Sequence, residues 1–127
     1  MTTHSQSILV VEDSSSITLV LQLMLEGEGY RVLTATGVDE GISVLRSTPV
    51  DLILTDSFSP TPQAALESVA PLLSAAGDTP IALLSGHQVA LADARAQGFC
   101  AVIRKPFDFD TLLNQVRDCL SGSGVTS

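Results

Sequence analysis

Five polar residues that can bind a metal ion or a phosphoryl group follow short apolar runs in this 127-residue sequence. They are Glu12, Asp13, Asp56, Ser85 and Lys105, and Lys105 is the only lysine of the chain. Three of these residues are carboxylates, and two unit charges about 4 Å apart repel by roughly 4 kcal/mol at an effective dielectric constant near 20. A cluster of them therefore requires a cation, and a ligand set of a few oxygens favours Mg²⁺.

Asp56 is the candidate nucleophile, because a carboxylate can attack phosphorus and form an acyl phosphate. Phosphoryl transfer depends on in-line positioning and charge neutralisation more than on acid–base catalysis. Lys105 supplies a compact positive charge, and Ser85 supplies a hydroxyl donor. These residue types predict a catalytic set of Asp56, Lys105 and Ser85 that works with Mg²⁺.

Each of these residues also has a simpler interpretation. Asp13 can be a loop acid or a helix cap, Ser85 can be a turn residue, and Asp56 can begin an Asx turn. Lys105 can be a solvated surface lysine, which is the usual situation of a lysine. The occurrence of all of them at the ends of predicted strands favours a common site.

Hydrophobic patterning places these residues in a chain of alternating strands and helices. Continuous apolar runs predict strands at 7–11, 30–35, 49–56, 80–85 and 100–104. Residues at helical spacing between them predict helices that begin near Ser14, Val38, Thr61, Gln88 and Asp108. Thr61 is predicted to cap the third helix, with Pro62 at its first position.

This order predicts an α/β protein with a doubly wound (βα)5 flavodoxin-like sandwich and a five-stranded parallel sheet. With strand order 2-1-3-4-5, ligands bind beyond the carboxyl ends of the strands, where the order reverses. The first, third, fourth and fifth strands all end there in the polar residues named above. The second strand ends in apolar Ala35 and lies at the edge.

Composition limits the partners. Fourteen acidic and six basic residues give a formal charge of −8, which argues against nucleic acid and anionic membranes as direct partners. No apolar run reaches membrane-spanning length, and no signal-peptide pattern is present. Cys100 and Cys119 lack metal-type spacing and are too few for a disulfide framework, so we expect reduced cysteines in a cytoplasmic protein.

The motifs resemble those of the receiver domain of two-component response regulators. Segment 8–17 resembles the acidic-pair segment of that family, 51–56 its phosphoacceptor strand, 82–85 its Ser/Thr strand and 104–108 its Lys-Pro-Phe signature. The resemblance predicts a disordered tail over 1–6, a receiver domain over 7–120, and a flexible tail or linker over 121–127. It also implies a monomer or weak dimer that catalyses its own phosphorylation and dephosphorylation and is not a substrate-turnover enzyme.

The resemblance implies that Asp56 accepts a phosphoryl group from a histidine kinase or a histidine phosphotransfer protein. The change is expected to switch an interaction with a downstream protein effector. Asp13 and Asp56 would ligate Mg²⁺ directly, Glu12 would act through water, and the Phe58 carbonyl would be a further ligand.

The same resemblance implies roles for Lys105, which follows the fifth strand, and for Ser85, which ends the fourth. Lys105 would pair with the phosphate, and its peptide bond to Pro106 is expected to be cis. Ser85 would move toward the phosphate and bias the face formed by the last two helices and the fifth strand.

Two departures from the family pattern support other hypotheses. Val102 stands where the family has an aromatic switch residue, and the loop 57–64 lacks the usual Met-Pro pair and acidic-glycine turn. They favour, as an alternative, a receiver-like docking module with impaired phosphorylation-dependent switching. A Mg²⁺-dependent phosphohydrolase is disfavoured, because Phe58 occupies the position of the second acid that such hydrolases use.

Overall fold

The computed structural model describes residues 6–58, 64, 67–86 and 89–121 of the chain. The strands are β1 Ser7–Val11, β2 Arg31–Ala35, β3 Leu52–Asp56, β4 Ile81–Ser85 and β5 Ala101–Arg104. The helices that alternate with them are α1 Ser15–Gly27, α2 Val38–Ser47, α3 Ala70–Ala76, α4 Leu91–Gln97 and α5 Phe109–Ser121. All strand pairs are parallel, and the sheet order is β2-β1-β3-β4-β5. The predicted fold class and strand order are confirmed.

The central strands form because their side chains are apolar and can be buried on both faces of the sheet. Strands β1, β3 and β4 are buried along nearly their whole length. Such continuous burial is typical of a parallel sheet that helices cover on both sides. Strand β2 is more exposed and occupies an edge of the sheet.

Two buried clusters lie on opposite sides of the sheet, because side chains alternate along each strand. The α1/α5 core consists of Ile8, Val10, Leu21, Leu25, Leu52, Leu54, Ala82, Leu84, Ala101, Ile103, Leu112, Leu113, Val116 and Cys119. The α2–α4 core consists of Leu9, Val11, Ala35, Val50, Ile53, Val69, Leu72, Ala76, Ile81, Leu83, Ala94 and Phe99. The helices named in each cluster therefore cover one face each.

Helix α1 begins where the sequence predicts. The Ser14 hydroxyl accepts a hydrogen bond from the Ile17 N–H at 3.3 Å, which caps the helix. Leu21 and Leu25 are buried against the sheet. The helical spacing of Ile17, Val20, Leu21, Met24 and Leu25 predicts that Val20 faces the sheet, but Val20 is 45% exposed because the buried stripe of the helix is narrow.

Helices α3 and α4 differ in detail from the prediction. The sequence predicts an apolar stripe of Leu66, Val69, Ala70 and Leu73 for the third helix. Val69 is buried as predicted, but Leu72 is buried and Ala70 is exposed, so the buried stripe is rotated; Leu66 lies outside the described residues. Helix α4 begins at Leu91 and not near Gln88, because Ala90 is its extended N-cap residue. The predicted cap of the third helix, Thr61, and the adjacent Pro62 lie outside the described residues.

Helix α2 packs unusually close to the sheet at Gly41. A Cβ atom at this position would lie 3.1 Å from Val11 Cγ2 and 3.3 Å from Leu72 Cδ1. A side chain of any size would therefore push against two fully buried residues. The absence of a side chain lets the helix approach β1 and α3.

Cys100 and Cys119 form a disulfide, so the expectation of reduced cysteines is wrong for this structure. Cys100 directly precedes β5, and α5 runs back along that strand, which returns residue 119 to the strand's start. The two Cα atoms are 5.8 Å apart, within the range that a disulfide requires. Counting cysteines could not reveal this pairing, because their separation of 19 residues spans a strand, a turn and a helix.

Ser121 is the last residue of α5, and Gln6 precedes β1. The rest of the predicted tails lies outside the described residues, and the predicted domain limits of 7 and 120 stay predictions. Among the helices in the described ranges, none is long and apolar enough to cross a lipid bilayer.

Candidate functional site

Asp56 is the last residue of β3 and lies at the carboxyl edge of the sheet. It pairs in register with Leu84 of β4, and Thr55 before it pairs with Val11 of β1. The chain then turns, with Phe58 at a φ of 54° and its N–H 3.2 Å from Asp56 Oδ2. This is the Asx turn that the sequence left open as an alternative. It orients the carboxylate and is compatible with a role in chemistry.

The acidic pair follows β1 on the neighbouring strand. The Glu12 N–H donates to the Ala35 carbonyl at 2.9 Å, which extends the sheet by one residue. Its carboxylate is buried and accepts a hydrogen bond from the Ser14 N–H at 3.1 Å. Asp13 is exposed. The pair thus offers one fixed inner carboxylate and one that faces solvent.

Lys105 joins these two strands. Its Nζ lies 2.7 Å from Glu12 Oε1 and 2.8 Å from Asp56 Oδ1. The backbone fixes the side chain in place, because the Lys105 N–H donates to the Ser85 carbonyl at 2.8 Å. The following peptide bond, to Pro106, is cis, as the resemblance implied. Lys105 is therefore an internal counter-ion and not a solvated surface lysine.

The charges of the site perturb one another. Burial raises the pKa of the Glu12 carboxyl above 4.5, although the hydrogen bonds from Lys105 and Ser14 work in the opposite direction. Burial opposes the charge on Lys105, but the hydrogen bonds to Asp56 and Glu12 outweigh it and raise the Lys105 pKa above 10.5. Lys105 is thus charged at neutral pH, and it offsets part of the repulsion between the acids.

The three carboxylates converge closely enough to share a cation. Ligand oxygens of Glu12, Asp13 and Asp56 all lie within 4.8 Å of one another. Hard oxygen ligands of this number suit Mg²⁺, which keeps several water molecules in its coordination shell. The donor set therefore fits the predicted cofactor, Mg²⁺.

Ser85 and Val102 lie on the strands that flank this site. Ser85 ends β4, is fully buried and pairs in register with Arg104. Val102 is half-buried in β5 and packs against the α2–α4 core. The structure thus brings Glu12, Asp13, Asp56 and Lys105 together, with Ser85 at the end of the adjacent strand.

A surface on α1 next to the site was missed in the sequence. Leu19 and Leu23 are 55% and 64% exposed, one helical turn apart. Leu19 lines a shallow groove together with Asp13, Thr18 and Thr36. The signal in the sequence is that both leucines fall outside the helical stripe of Leu21 and Leu25.

Comparison with known proteins gives a consistent picture. The family model described as "Response regulator receiver domain" matches residues 8–117. The chain belongs to this family. Receiver domains are signalling domains of two-component systems, and the acidic cluster of Glu12, Asp13 and Asp56 is consistent with a phosphorylation site.

Individual relatives support the assignment. The chain is 31% identical over 119 residues to the transcriptional regulatory protein GlrR of Escherichia coli, covering 91% of this chain and 26% of GlrR. It is 33% identical over 123 residues to the uncharacterized transcriptional regulatory protein YkoG of Bacillus subtilis, covering 93% of this chain and 52% of YkoG. The chain thus spans between about a quarter and a half of the length of these relatives.

Solved structures show the same architecture. A response regulator from Thermotoga maritima superposes with a TM-score of 0.81 at 27% identity, covering 93% of this chain and 99% of that one. The chemotaxis protein CheY4 of Vibrio cholerae superposes with a TM-score of 0.79 at 27% identity, covering 92% of this chain and all of CheY4. The match thus covers nearly all of these two solved chains.

Proposed function

We propose that this chain is the phosphoacceptor receiver domain of a two-component or phosphorelay system, in which Asp56 takes a phosphoryl group from a phosphohistidine. The supporting contact is the 2.8 Å ion pair between Lys105 Nζ and Asp56 Oδ1, beside the Glu12 and Asp13 carboxylates. Histidine kinases phosphorylate receiver domains. A histidine kinase or a histidine phosphotransfer protein is therefore the proposed donor.

In the proposed reaction, an Asp56 oxygen attacks phosphorus in line with the bond to the donor histidine. The O–P bond forms as the N–P bond breaks, and the departing imidazole nitrogen takes up a proton. Asp56 is oriented for this attack because Lys105 holds Oδ1 and the Phe58 N–H holds Oδ2. The protein thereby catalyses its own phosphorylation by positioning.

Glu12, Asp13 and Asp56 would hold Mg²⁺, with Glu12 acting through water and the Phe58 carbonyl as a further ligand. The bound ion supplies positive charge that offsets the phosphoryl oxygens. Lys105 would then pair with the phosphate as a second positive charge. The same residues would act in dephosphorylation, with water in place of the donor.

The proposed function also assigns a role to Ser85 and to the surfaces that contact other proteins. The Ser85 hydroxyl would donate to a phosphoryl oxygen, since Ser85 ends the strand next to β3. The donor protein would contact the exposed leucines of α1 beside Asp13, because exposed apolar side chains next to a site commonly mark an interface. The phosphorylated domain would act on a downstream protein effector, without direct nucleic acid or membrane contact, as a cytoplasmic monomer or weak dimer.

A phosphorylation assay tests this function. The purified chain is incubated with Mg²⁺ and acetyl phosphate, and intact mass is measured. We expect one phosphoryl group on the wild type and none on Asp56→Asn. Asp78→Asn, which removes an exposed acid from the turn after α3, is the matched control and should be phosphorylated normally. Absence of an adduct from any donor, despite bound Mg²⁺, would refute the proposal.

Val102 supports a second candidate function, the docking module with impaired switching. It is half-buried against the α2–α4 core and has no ring that could change its rotamer as Ser85 moves. In this case Asp56 would still be phosphorylated, but the distal face would not change. Amide NMR shifts on phosphorylation distinguish the two functions. Shifts that reach α4 and β5 favour the switch, and shifts confined to the strand ends favour the docking module.

A further inference from the structure

We propose that Cys100 and Cys119 form a reversible redox link that clamps the end of α5 to the start of β5. The link is separate from the acidic site and does not rest on the proposed function. Both cysteines belong to the α1/α5 side of the sheet, where Cys119 is buried and Cys100 is half-buried. The redox conditions around the protein therefore determine whether the last helix is covalently attached to the sheet.

The backbone positions both cysteines without the bond. The Cys100 N–H donates to the Ile81 carbonyl at 2.8 Å, which ties this residue to β4. Cys119 follows Leu112, Leu113 and Val116 on the buried face of α5. These contacts hold the Cα atoms near their 5.8 Å separation, so opening and closing the bond need little backbone movement.

Small thiols and disulfides can reach one cysteine of the pair more easily than the other, and this difference sets the order of the exchange steps. Cys119 is only 7% exposed, whereas Cys100 is partly open to solvent. In the oxidising direction, the Cys100 thiolate attacks a small disulfide such as oxidised glutathione and releases one thiol. The Cys119 thiolate then attacks the Cys100 sulfur and releases the second thiol. The two protein thiols and oxidised glutathione are thereby converted to the protein disulfide and two molecules of reduced glutathione.

The reducing direction reverses these steps. A small thiolate attacks the accessible Cys100 sulfur, and Cys119 leaves and takes up a proton. A second small thiolate then attacks the mixed disulfide and frees Cys100. The small-molecule disulfide and thiol are thus the only co-reactants.

The bond adds a covalent attachment to the end of α5, where Val116 and Cys119 are buried and Leu120 packs against the α1/α5 core. Arg117 also forms an ion pair with Glu28 at 3.4 Å, between exposed side chains. Exposed ion pairs contribute little to stability. The ring closed by the disulfide contains β5, Lys105 and most of α5, so its closure restrains the unfolded chain and the helix end.

Equilibration of the full chain in mixtures of reduced and oxidised glutathione tests the proposal. Free thiols are counted by alkylation under denaturing conditions, and amide hydrogen exchange is followed over residues 116–121. We expect two alkylated thiols at the reducing end and none at the oxidising end. Reduction should lower the Tm by about 10 °C and speed exchange at the end of α5 roughly tenfold.

Two variants serve as controls. Cys100→Ser and the double variant Cys100→Ser/Cys119→Ala should show the exchange of the reduced wild type at every glutathione ratio. If either variant fails to fold, the wild-type titration alone still decides the question. Three results would overturn the proposal: thiols that stay free at all ratios, a bond that glutathione cannot reduce in the folded protein, or equal exchange of α5 in both states.

Discussion

Lys105 Nζ lies 2.8 Å from Asp56 Oδ1, although the two residues are 49 positions apart in the chain. Asp56 ends β3 and Lys105 follows β5, and these two strands are not neighbours in the sheet. Strand β4 separates β3 from β5, and Lys105 reaches across its end to bind both Asp56 and Glu12. Without metal, Lys105 therefore occupies the negative potential that Mg²⁺ would use. Lys105 and a bound metal ion would compete for the same carboxylates.

Removal of this lysine is expected to strengthen metal binding while it weakens phosphorylation. A unit charge about 4 Å from a divalent ion amounts to about 2 kcal/mol in water, so Lys105→Ala should bind Mg²⁺ roughly thirtyfold more tightly. Its rate of phosphorylation by acetyl phosphate should fall, because one positive charge near the phosphate is lost. Isothermal titration calorimetry measures the affinity, and Arg104→Ala, an exposed neighbouring cation, is the control. Unchanged or weaker Mg²⁺ binding in Lys105→Ala would contradict the competition.

Repulsion among the three acids should make the metal-free wild type less stable than a variant that lacks one of these charges. Asp13→Asn removes one charge from a group whose ligand oxygens lie within 4.8 Å of one another. We expect the free energy of unfolding without Mg²⁺ to rise by about 1 kcal/mol. With saturating Mg²⁺ the wild type should gain stability, and Asp13→Asn should gain much less. Urea unfolding with and without Mg²⁺ measures both effects, and an equal Mg²⁺ response in the two proteins would count against a shared metal site.

Two glycines should respond in opposite ways to alanine. At Gly41 the new Cβ would meet Val11 Cγ2 at 3.1 Å, whereas at Gly27 nothing lies within 4 Å. Alanine is favoured over glycine in a helix by about 1 kcal/mol, but overpacking a buried contact costs about 1–3 kcal/mol. Gly41→Ala should therefore lose about 1 kcal/mol of stability, and Gly27→Ala should gain up to about 1 kcal/mol. Chemical denaturation of both variants gives the comparison, and a stabilised Gly41→Ala would show that α2 can move away from β1.

The N-cap of α5 predicts a pH dependence. The Thr111 N–H lies 3.2 Å from Asp108 Oδ1, and hydrogen bonding from Thr111 holds the pKa of the Asp108 carboxyl below 3.8. A lowered pKa in the folded state stabilises the protein above pH 3.8, and this contribution is lost as pH falls through the lower folded-state pKa. Asp108→Ala should lower the Tm at pH 7, and Asp108→Asn should preserve most of it because asparagine also caps helices.

Comparison of the wild type with Asp108→Asn at low pH tests whether the charge of Asp108 contributes to the cap. The Tm advantage of the wild type over Asp108→Asn should shrink between pH 5 and pH 3, since only the wild-type cap titrates. Thermal scans across this range measure the difference. A constant difference would mean that the Asp108 charge does not contribute to the cap.

The element order and most of the site were predictable because they depend on local patterns. Apolar runs such as 7–11 show the central strands, and polar residues directly after them mark the carboxyl edge of the sheet. Asp56 and Glu12 could be placed at one edge on this basis alone. The parallel arrangement then brings their side chains together, whatever the loops between them do.

Other features could not be predicted because they depend on distances through space. The contact of Lys105 with Glu12 depends on the relative positions of the carboxyl ends of β1 and β5, and residue spacing in the sequence does not determine these positions. The disulfide requires α5 to return along β5 so that Cys119 meets Cys100. Val20 and Ala70 are exposed because small rotations of their helices decide burial, and a helical period alone does not fix such rotations.

Side-chain alternation has a consequence for how the sequence can change in length. Asp56 follows Leu54 by two residues, and Lys105 follows Ile103 by two residues, so both members of this ion pair share the side of the sheet that holds the α1/α5 core. Deletion of a single residue within β3 or β5 would turn one of these side chains to the opposite side and separate acid from lysine. Chains that descend from a common ancestor with this one can therefore gain or lose residues in their connecting loops, but inside these strands only substitutions preserve the chemistry.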